Sequence, residues 1–519
     1  MKYFFMIIVS FLSLSSMAQT HPNIMIGDQN QPEEPSIYVN PKNTNEIVAG
    51  ANIKHYYYSQ DGGYTWQGDY LSSSYGVAGD PCIIADTTGA FYYLHLSSPA
   101  GGSWLDRITC QKSTDGGINW NNGSYMGLTG KDQDKQWAVV DWNTNIIYTT
   151  WTQFDTYGSP SPSQKSNILF SKSVDGGQSW SSSVKINEVE GDCIDDDNTV
   201  EGAVPAVGPE GQVYVAWAGP EGIVFDRSTD GGQSWLEEDI FVTDFPGGWA
   251  YDIEGIMRAN GLPITVCDVS GGEYNGNIYI NWTDHRNGNS DTDVWLTKST
   301  DGGDTWSEPI RVNDDPPGKE QFFTWMAIDQ TNGYLWFVWY DRRNYPDTET
   351  DVYMAVSTDG GESFINFRVS EQSFVPSSGI FFGDYTNISV HNNVVRPIWT
   401  RLHNSQLSVW TAIVDVDEVL TGEKYFAAIP YAEMETNFPN PFILNTNIRF
   451  RIIKKSNLSL RVYDVLGNLV ATIFDNETKL PGKYTEVFDA NKYHLSAGSY
   501  YISLTGENIN IKQKMLLSQ

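Results

Sequence analysis

The sequence has few cysteines and few basic residues. Its four cysteines form no Cys-x-x-Cys pair, which excludes the common zinc and dithiol motifs; they are Cys82, Cys110, Cys193 and Cys267. Cys193 and Cys267 are the candidate disulfide pair in an oxidising compartment, and buried thiols are the alternative. The 32 basic residues are outnumbered by 64 acidic ones, and the resulting charge of −32 repels phosphate backbones and anionic membrane surfaces. Nucleic acid is therefore excluded as a partner.

Long apolar runs are also missing, apart from one near the N-terminus. The first residues read MKYFFMIIVSFLSLSSMAQT, with Lys2 ahead of an apolar run and a small-x-small cleavage site ending at Ala18. This pattern predicts a signal peptide over residues 1–18. The run is shorter than the roughly 20 apolar residues of a spanning helix, and no later segment approaches that length. We expect a mature protein outside the cytoplasm without a membrane span.

Aromatic residues and glycine are abundant. The chain has 18 Trp, 29 Tyr, 23 Phe and 47 Gly, and few long stretches of helix-forming residues. Short strands rich in aromatic residues and joined by glycine turns are typical of all-β proteins. The composition therefore predicts an all-β fold.

One octapeptide recurs six times. The copies are SQDGGYTW (59–66), STDGGINW (113–120), SVDGGQSW (173–180), STDGGQSW (228–235), STDGGDTW (299–306) and STDGGESF (357–364). Successive aspartates are 54, 60, 55, 71 and 58 residues apart, which is the length of a four-stranded sheet with its loops. Each period predicts one blade-sized unit.

The octapeptide has the composition of a hairpin turn. The carboxylate accepts N–H bonds within its own loop, the glycines supply positive φ, and the final aromatic residue packs inward. This pattern resembles the Asp-box, or BNR repeat, of sialidase-like β-propellers. In that family the box lies on the hairpin between the third and fourth strands, opposite the substrate face. The resemblance implies that the boxes are structural, and calcium loops are the alternative.

Strand-like pairs precede each box, and a seventh pair without a box follows the last one. We therefore predict a seven-bladed propeller over residues 24–419. Six blades are the alternative, if the first and last runs merge.

The C-terminal segment differs in charge from the rest. From Asn437 to Gln519 there are ten basic and six acidic residues, so a separate module is indicated. Its segments NFPNPF, VYDVLGNLV and LSAGSYYISL resemble the type A C-terminal sorting domain of the type IX secretion system, an Ig-like β-sandwich of Bacteroidetes. The resemblance implies a linker over 420–436, a sorting domain over 437–519, contact with that secretion machinery, and a secreted or outer-membrane surface-attached protein.

Chemistry is expected at the face where inner strands begin and second strands end. The starts supply Asp80, Glu201, Asp384 and Tyr385, and the second-strand ends supply Asp284, His285, Arg286, Asp341, Arg342, Arg343 and Arg401. Guanidinium groups bind the carboxylates of anionic sugars, and nearby carboxylates can act as general acids and bases. The alternative is that these residues make turn hydrogen bonds and ion pairs.

The resemblance to sialidases is incomplete at the residues that carry catalysis. That family has an early arginine in a Phe/Tyr-Arg-Ile-Pro motif, and here no arginine precedes Arg107. Candidates for a different trio are Arg286, Arg342 or Arg343, and Arg401. Tyr385 with Glu201 is the candidate nucleophile pair, and Asp284, Asp341 and Asp384 are further candidate catalytic groups.

Two acidic stretches suggest calcium as the one candidate cofactor. Residues 191–202 (GDCIDDDNTVEG) include the candidate ligands Asp195 and Asp197, and residues 347–351 read DTETD. Neither stretch has EF-hand spacing, and a solvated acidic loop is the alternative.

Three functions follow from the resemblance and the export signals. The first is an exo-glycosidase of the sialidase type that acts on extracellular glycans. The second is a polysaccharide lyase, with which His285 is compatible. The third is a non-catalytic glycan-binding or adhesion propeller.

Overall fold

The computed structural model describes residues 21–421, 432–434, 437–452, 455–465, 467–506 and 509–518. These fall into two compact units, which divide after residue 422. The predicted signal peptide and most of the predicted linker lie outside the described residues. Within the described part of the chain, no helix combines the length and the apolar character needed to cross a bilayer.

The first unit contains seven antiparallel sheets of four strands. The first strand, β1 (Asn23–Gly27), belongs to the last of them. Blade 1 contains β2 (Ser36–Val39), β3 (Ile47–Ala51), β4 (His55–Ser59) and β5 (Gln67–Tyr70). Blade 2 contains β6 (Cys82–Ala85), β7 (Phe91–Leu96), β8 (Ile108–Ser113) and β9 (Ser124–Met126). Blade 3 contains β10 (Asp132–Val140), β11 (Ile147–Phe154), β12 (Ser166–Ser173) and β13 (Val184–Lys185).

The remaining blades follow the same order. Blade 4 is β14 (Glu201–Val207), β15 (Val213–Gly219), β16 (Gly222–Ser228) and β17 (Ile240–Thr243), followed by a small extra sheet of β18 (Ala250–Tyr251) and β19 (Ala259–Asn260). Blade 5 contains β20 (Ile264–Cys267), β21 (Ile278–Asp284), β22 (Asp293–Ser299) and β23 (Ile310–Arg311). Blade 6 contains β24 (Gln321–Asp329), β25 (Tyr334–Asp341), β26 (Asp351–Ser357) and β27 (Ile365–Arg368). Blade 7 contains β28 (Asn387–His391), β29 (Val394–His403) and β30 (Gln406–Ala412) together with β1.

The first strand of each blade contacts the first strand of the next, and β28 contacts β2. The seven sheets therefore form a closed ring around a central channel, which confirms the predicted seven-bladed propeller. The strand β1 pairs with β30, from Asn23 opposite Ala412 onward, so the N-terminal strand is the outermost strand of the last blade. A short helix, α1 (Val416–Thr421), follows the ring.

Second strands are buried on both faces because each blade packs between two others. The strand β25 reads YLWFVWYD, and every residue after Tyr334 is buried. This explains why the second strands read as continuous apolar runs rather than alternating ones. The four cysteines are buried and unpaired, so the candidate disulfide between Cys193 and Cys267 does not form.

All six boxes lie on hairpins between the third and fourth strands of their blades. In the fifth blade, Asp301 Oδ1 accepts bonds from Ser299 Oγ (2.7 Å) and Thr305 N (3.0 Å), and Oδ2 accepts one from Thr305 Oγ1 (2.6 Å). Gly303 has φ of 97°, and a Cβ there would lie 2.3 Å from Phe225 of the preceding blade. The box therefore closes a hairpin and fits it against the neighbouring blade.

The second unit is a sandwich of two sheets. One sheet contains β31 (Ala432–Met434), β32 (Asn445–Ile452) and β35 (Gly482–Asp489). The other contains β34 (Leu469–Lys479), β33 (Ser456–Tyr463), β36 (Gly498–Gly506) and β37 (Ile509–Leu517), with a 3₁₀ turn at Asn491–Tyr493. Apolar side chains of both sheets, including Phe450 and Leu460, form one buried core. This is the predicted small β-sandwich.

Candidate active site at the channel mouth

A cavity opens where the inner strands begin, on the face opposite the boxes. In an antiparallel blade the first strand begins, and the second ends, at the edge away from the hairpin between the third and fourth strands. The side chains that line the cavity include Asp80, Lys135, Gln136, Asn260, Asp384 and Tyr385. They come from four different blades or blade connections, so the closed ring brings them together.

Two tryptophans form the floor of this cavity. Trp137 of β10 and Trp325 of β24 lie three blades apart in the ring, yet their ring centroids are 4.4 Å apart. The ring of Tyr385 packs edge-on against Trp137 at 5.8 Å. Both tryptophans also line the channel below, so they separate the mouth from the channel.

Asp384 lies at the centre of an ion-pair cluster. Its Oδ2 is 2.6 Å from Lys135 Nζ and also accepts a bond from Arg258 Nη2, while Oδ1 accepts one from Arg258 Nε at 2.9 Å. Burial opposes ionisation of this carboxyl, but Lys135 and Arg258 outweigh that effect and hold its pKa below the usual range. Asp384 is therefore a buried carboxylate.

Other carboxyls at the mouth have raised pKa values, in contrast to Asp384. Burial, together with neighbouring acidic groups, raises the pKa of Glu33, Glu34 and Glu201 well above the usual range. The same causes raise the pKa of Asp134 to about 8. Glu33 Oε2, Glu34 Oε1 and both oxygens of Glu201 receive no hydrogen bond from a described residue. The mouth thus combines an ionised carboxylate with carboxyls whose surroundings favour the protonated form.

The hydroxyl of Tyr385 is buried and has no hydrogen-bond partner among the described residues. Burial, followed by the acidic neighbours Asp80 and Glu34, raises the pKa of Tyr385 well above the usual range. The hydroxyl therefore stays protonated, so it can donate a hydrogen bond and is not an ionised nucleophile.

The backbone is strained around this cluster. Five residues other than glycine have a positive φ there: Glu34 (50°), Asp80 (51°), Lys135 (49°), Asp195 (67°) and Phe323 (52°). A left-handed conformation costs roughly 1–2 kcal/mol per residue with a side chain. Such strain tends to concentrate at functional sites, where it fixes side-chain directions.

The structure brings five of the predicted residues to the mouth or beside it. Asp80, Asp384 and Tyr385 line the cavity, and Glu201 is buried directly before the lining residue Gly202. Asp195 joins the cluster from outside: its Oδ2 accepts a bond from Tyr157 Oη at 2.6 Å and lies 3.4 Å from Arg258 Nη1.

Asp284 and Asp341 lie elsewhere. Asp284 accepts a bond from Trp282 Nε1 at 2.8 Å and pairs with Arg286 Nη2 at 2.6 Å. Thr283 lines the cavity, and because side chains alternate along a strand, Asp284 faces away from it. Asp341 repeats the arrangement with Trp339 and Arg343. We call this the Trp–Asp–Arg clasp, and neither clasp lines the mouth cavity.

The remaining predicted binding residues do not meet at the mouth cavity either. Arg342 is buried and donates to the Glu254 carbonyl at 2.6 Å and to Thr350 Oγ1 at 3.2 Å. Arg401 donates to Gln372 at 2.8 Å. His285 packs against the Tyr251 ring at 4.6 Å. None of these side chains, nor Arg286 and Arg343, lines the cavity, because their own blades and connections occupy them.

The predicted calcium ligands are separated. Asp195 bonds with Tyr157 and Arg258, whereas Asp197 Oδ1 accepts a bond from the Ala250 N–H at 2.9 Å. Across the described ranges of the chain, no group of three or more His, Cys, Asp or Glu side chains is arranged to hold a metal ion. The calcium assignment stays a prediction.

Sequence reasoning missed the two cations of the site. Lys135 stands inside DQDKQW at the start of β10, and Arg258 lies in the connection that carries β18 and β19. Neither carried a specific signal. Lys131 and Lys319 also lie just before inner strands, so a basic residue at that position does not single out Lys135. The connection that carries Arg258 has no counterpart in the other blades.

Comparison with known families identifies both parts of the chain. A model of the BNR/Asp-box repeat matches residues 57–67, and a model of the secretion system C-terminal sorting domain matches residues 436–518. The chain therefore contains an Asp-box repeat within its β-propeller and a C-terminal sorting domain. The type IX sorting domain implies interaction with that secretion machinery, and secretion or attachment to the cell surface.

Solved structures that resemble the Asp-box propeller include several enzymes. A polysaccharide lyase described as an ulvan lyase is 12% identical (TM-score 0.47) and covers 78% of this chain and 100% of its own. A Hadza microbial sialidase is 12% identical (TM-score 0.42; 73% and 75% covered). Trypanosoma rangeli sialidase is 11% identical (TM-score 0.40; 88% and 89% covered). No curated protein sequence matches the chain. Similarity at this level specifies no activity.

Proposed function

We propose that the propeller binds an extracellular glycan at the channel mouth and cleaves a glycosidic bond there by general acid–base catalysis. The observation that carries the proposal is the contrast in pKa at one cavity. The pKa of Asp384 is lowered by Lys135 and Arg258, and that of Tyr385 is raised by burial and by acidic neighbours. Pairs of groups whose environments separate their pKa values are typical of acid–base sites.

The lining residues suggest distinct roles. We assign to the protonated Tyr385 hydroxyl the donation to the oxygen of the leaving sugar, since no described residue accepts a bond from it. Asp80 lines the same cavity with Oδ2 3.8 Å from Lys135 Nζ, and we assign it the role of accepting a proton from water. Asp384 holds Lys135 and Arg258 in position at the mouth. Glu201 lies behind the lining, so we assign it no direct contact with substrate.

The charges favour a neutral sugar over a sialic acid. The predicted arginines are bound within their blades, and the two cations at the mouth already pair with Asp384. A carboxylated sugar would therefore meet no free guanidinium pair from the described residues. The tryptophan floor and the amide oxygen of Gln136, which has no hydrogen-bond partner among the described residues, instead offer an apolar surface and a hydrogen-bonding group for a hydroxylated ring. An exo-glycosidase for neutral glycans fits this site better than a sialidase.

A second function is favoured by one observation. Both oxygens of Asp384 already accept bonds from cations, an arrangement also found in purely structural ion pairs. If the cluster only shapes the mouth, the propeller is a glycan-binding module without turnover.

A turnover screen distinguishes the two functions. The mature chain is incubated with neutral aryl glycosides, aryl sialosides, neutral polysaccharides and uronate polysaccharides, while new reducing ends and unsaturated-uronate absorbance are recorded. We expect new reducing ends from a neutral substrate. Binding of a glycan by titration calorimetry without any product would support the binding module, and neither binding nor turnover would reject both functions.

A further inference from the structure

Trp104 stands apart from the other tryptophans of the chain. All 18 tryptophans lie in the described residues, and Trp104, with 54% of its surface accessible, is the only exposed one among them. The other 17 are buried or partly buried. Exposure alone does not indicate a role, so the position of Trp104 and the support of its loop decide what it does.

The loop that carries Trp104 is fixed at its base to the strand that carries Lys135. Leu105 is fully buried, and its carbonyl accepts a bond from Gln133 N at 2.7 Å, two residues before Lys135. Asp106 accepts a bond from Ser97 Oγ at 2.8 Å across the loop. The exposed indole is therefore held in place although it covers little of the core.

The indole of Trp104 is linked to the ion-pair cluster of Asp384 by a series of contacts. Its ring meets the Tyr157 ring at 5.7 Å and 89°, and the Tyr157 hydroxyl donates to Asp195, which pairs with Arg258. Arg258 in turn bonds to Asp384. Trp104 thus stands beside the mouth but outside its lining.

We propose that Trp104 is the stacking platform of a second sugar subsite, so that the protein engages an oligosaccharide rather than a single sugar. This inference rests on the proposed function. The occupant is the apolar face of a pyranose ring that belongs to the same oligosaccharide as the sugar at the tryptophan floor. Flat aromatic rings pair with partly apolar, partly hydroxylated ligands at low entropic cost. Arg107, three residues further on, is bonded to Asp106, so the adjacent surface also offers no free cation for an acidic sugar.

The test compares ligand length in binding and turnover. The full mature chain and the W104A, W104F and F241A variants are applied to a printed array of neutral and acidic oligosaccharides of one to six sugars. We expect W104A to lose at least tenfold in affinity for the longest ligands that the wild type binds, and less than twofold for single sugars. W104F should retain most of the affinity. Phe241 is 55% exposed on the outer strand of blade 4, so F241A is the matched control and should not change binding.

The outcomes separate this inference from the proposed function. Equal loss for short and long ligands, or no loss with W104A while the wild type still binds and cleaves, would overturn the platform alone. A wild type that binds no member of the array would overturn the platform together with the glycan site. Melting temperatures of the variants verify folding, and we expect W104A to melt with the wild type because its indole is half exposed.

Discussion

At the scale of the residue, similar acidic residues have different roles that depend on their neighbours. Asp341 and Asp384 are both buried aspartates paired with arginine. Asp341 also bonds to a tryptophan of its own strand, so it stabilises a strand end, whereas Asp384 faces a cavity. The segment WYDRRN predicted a catalytic role for Asp341, whereas its contacts with Trp339 and Arg343 are structural.

A buried aspartate away from the mouth provides a prediction of pH dependence. Burial raises the pKa of Asp226 from 3.8 to about 7, although the N–H groups of Leu236 and Arg227 partly oppose this. Between these two values the folded chain holds a proton that the unfolded chain releases, so stability falls as pH rises through this range. We expect Asp226→Asn, which imitates the protonated form, to stabilise the protein by about 2 kcal/mol at pH 8 and negligibly below pH 4.

The measurement is the free energy of unfolding in urea at several pH values for both proteins. The variant should show a smaller decline between about pH 4 and pH 8. Identical pH profiles would contradict a protonated Asp226 in the fold.

At the scale of the element, the Asp-box is a folding device whose aspartate serves its own turn. The pKa of Asp301 is lowered to about 2, first by the bond from the Thr305 hydroxyl, as expected for a carboxylate that accepts several bonds. The box of blade 5 also touches the blade before it, where Trp306 packs against Phe225 at 5.1 Å. Turn chemistry and packing between blades are thus combined in eight residues.

The hairpin allows a matched comparison within one loop. Removing the carboxylate by Asp301→Ala should cost about 1–3 kcal/mol, because three hydrogen bonds to it are lost. Asp304 is exposed and makes a surface ion pair with Arg227 at 2.6 Å, so Asp304→Ala should cost at most about 1 kcal/mol. Urea unfolding measures both. Equal costs would contradict a structural box, and both variants should keep wild-type glycan binding.

The elements were predictable from the sequence, but the site was only partly so. Six spaced boxes and the apolar second strands specify blades, because both signals are local. Asp384 and Tyr385 were predictable from their position before an inner strand. Lys135 and Arg258 were not, because their role depends on which blades meet across the ring.

At the scale of the whole molecule, closure of the ring creates the site. Trp137 and Trp325 meet only because β28 contacts β2 and β1 completes the last blade. The net charge of −32 keeps the protein away from anionic surfaces and is consistent with a secreted or surface-attached role. The face that carries the boxes therefore stabilises the fold, and the face that carries the mouth is the one proposed to contact the ligand.

The most direct test of this account is the rate of glycan cleavage by Tyr385→Phe. The variant removes one hydroxyl that has no described hydrogen-bond partner, so the melting temperature should not fall. If Tyr385 donates the proton, kcat should fall by about 100-fold or more on the substrate found in the screen. Tyr64→Phe, in the first box on the opposite face, is the matched control and should keep full activity. Wild-type kcat in Tyr385→Phe would contradict the assignment of chemistry to the channel mouth.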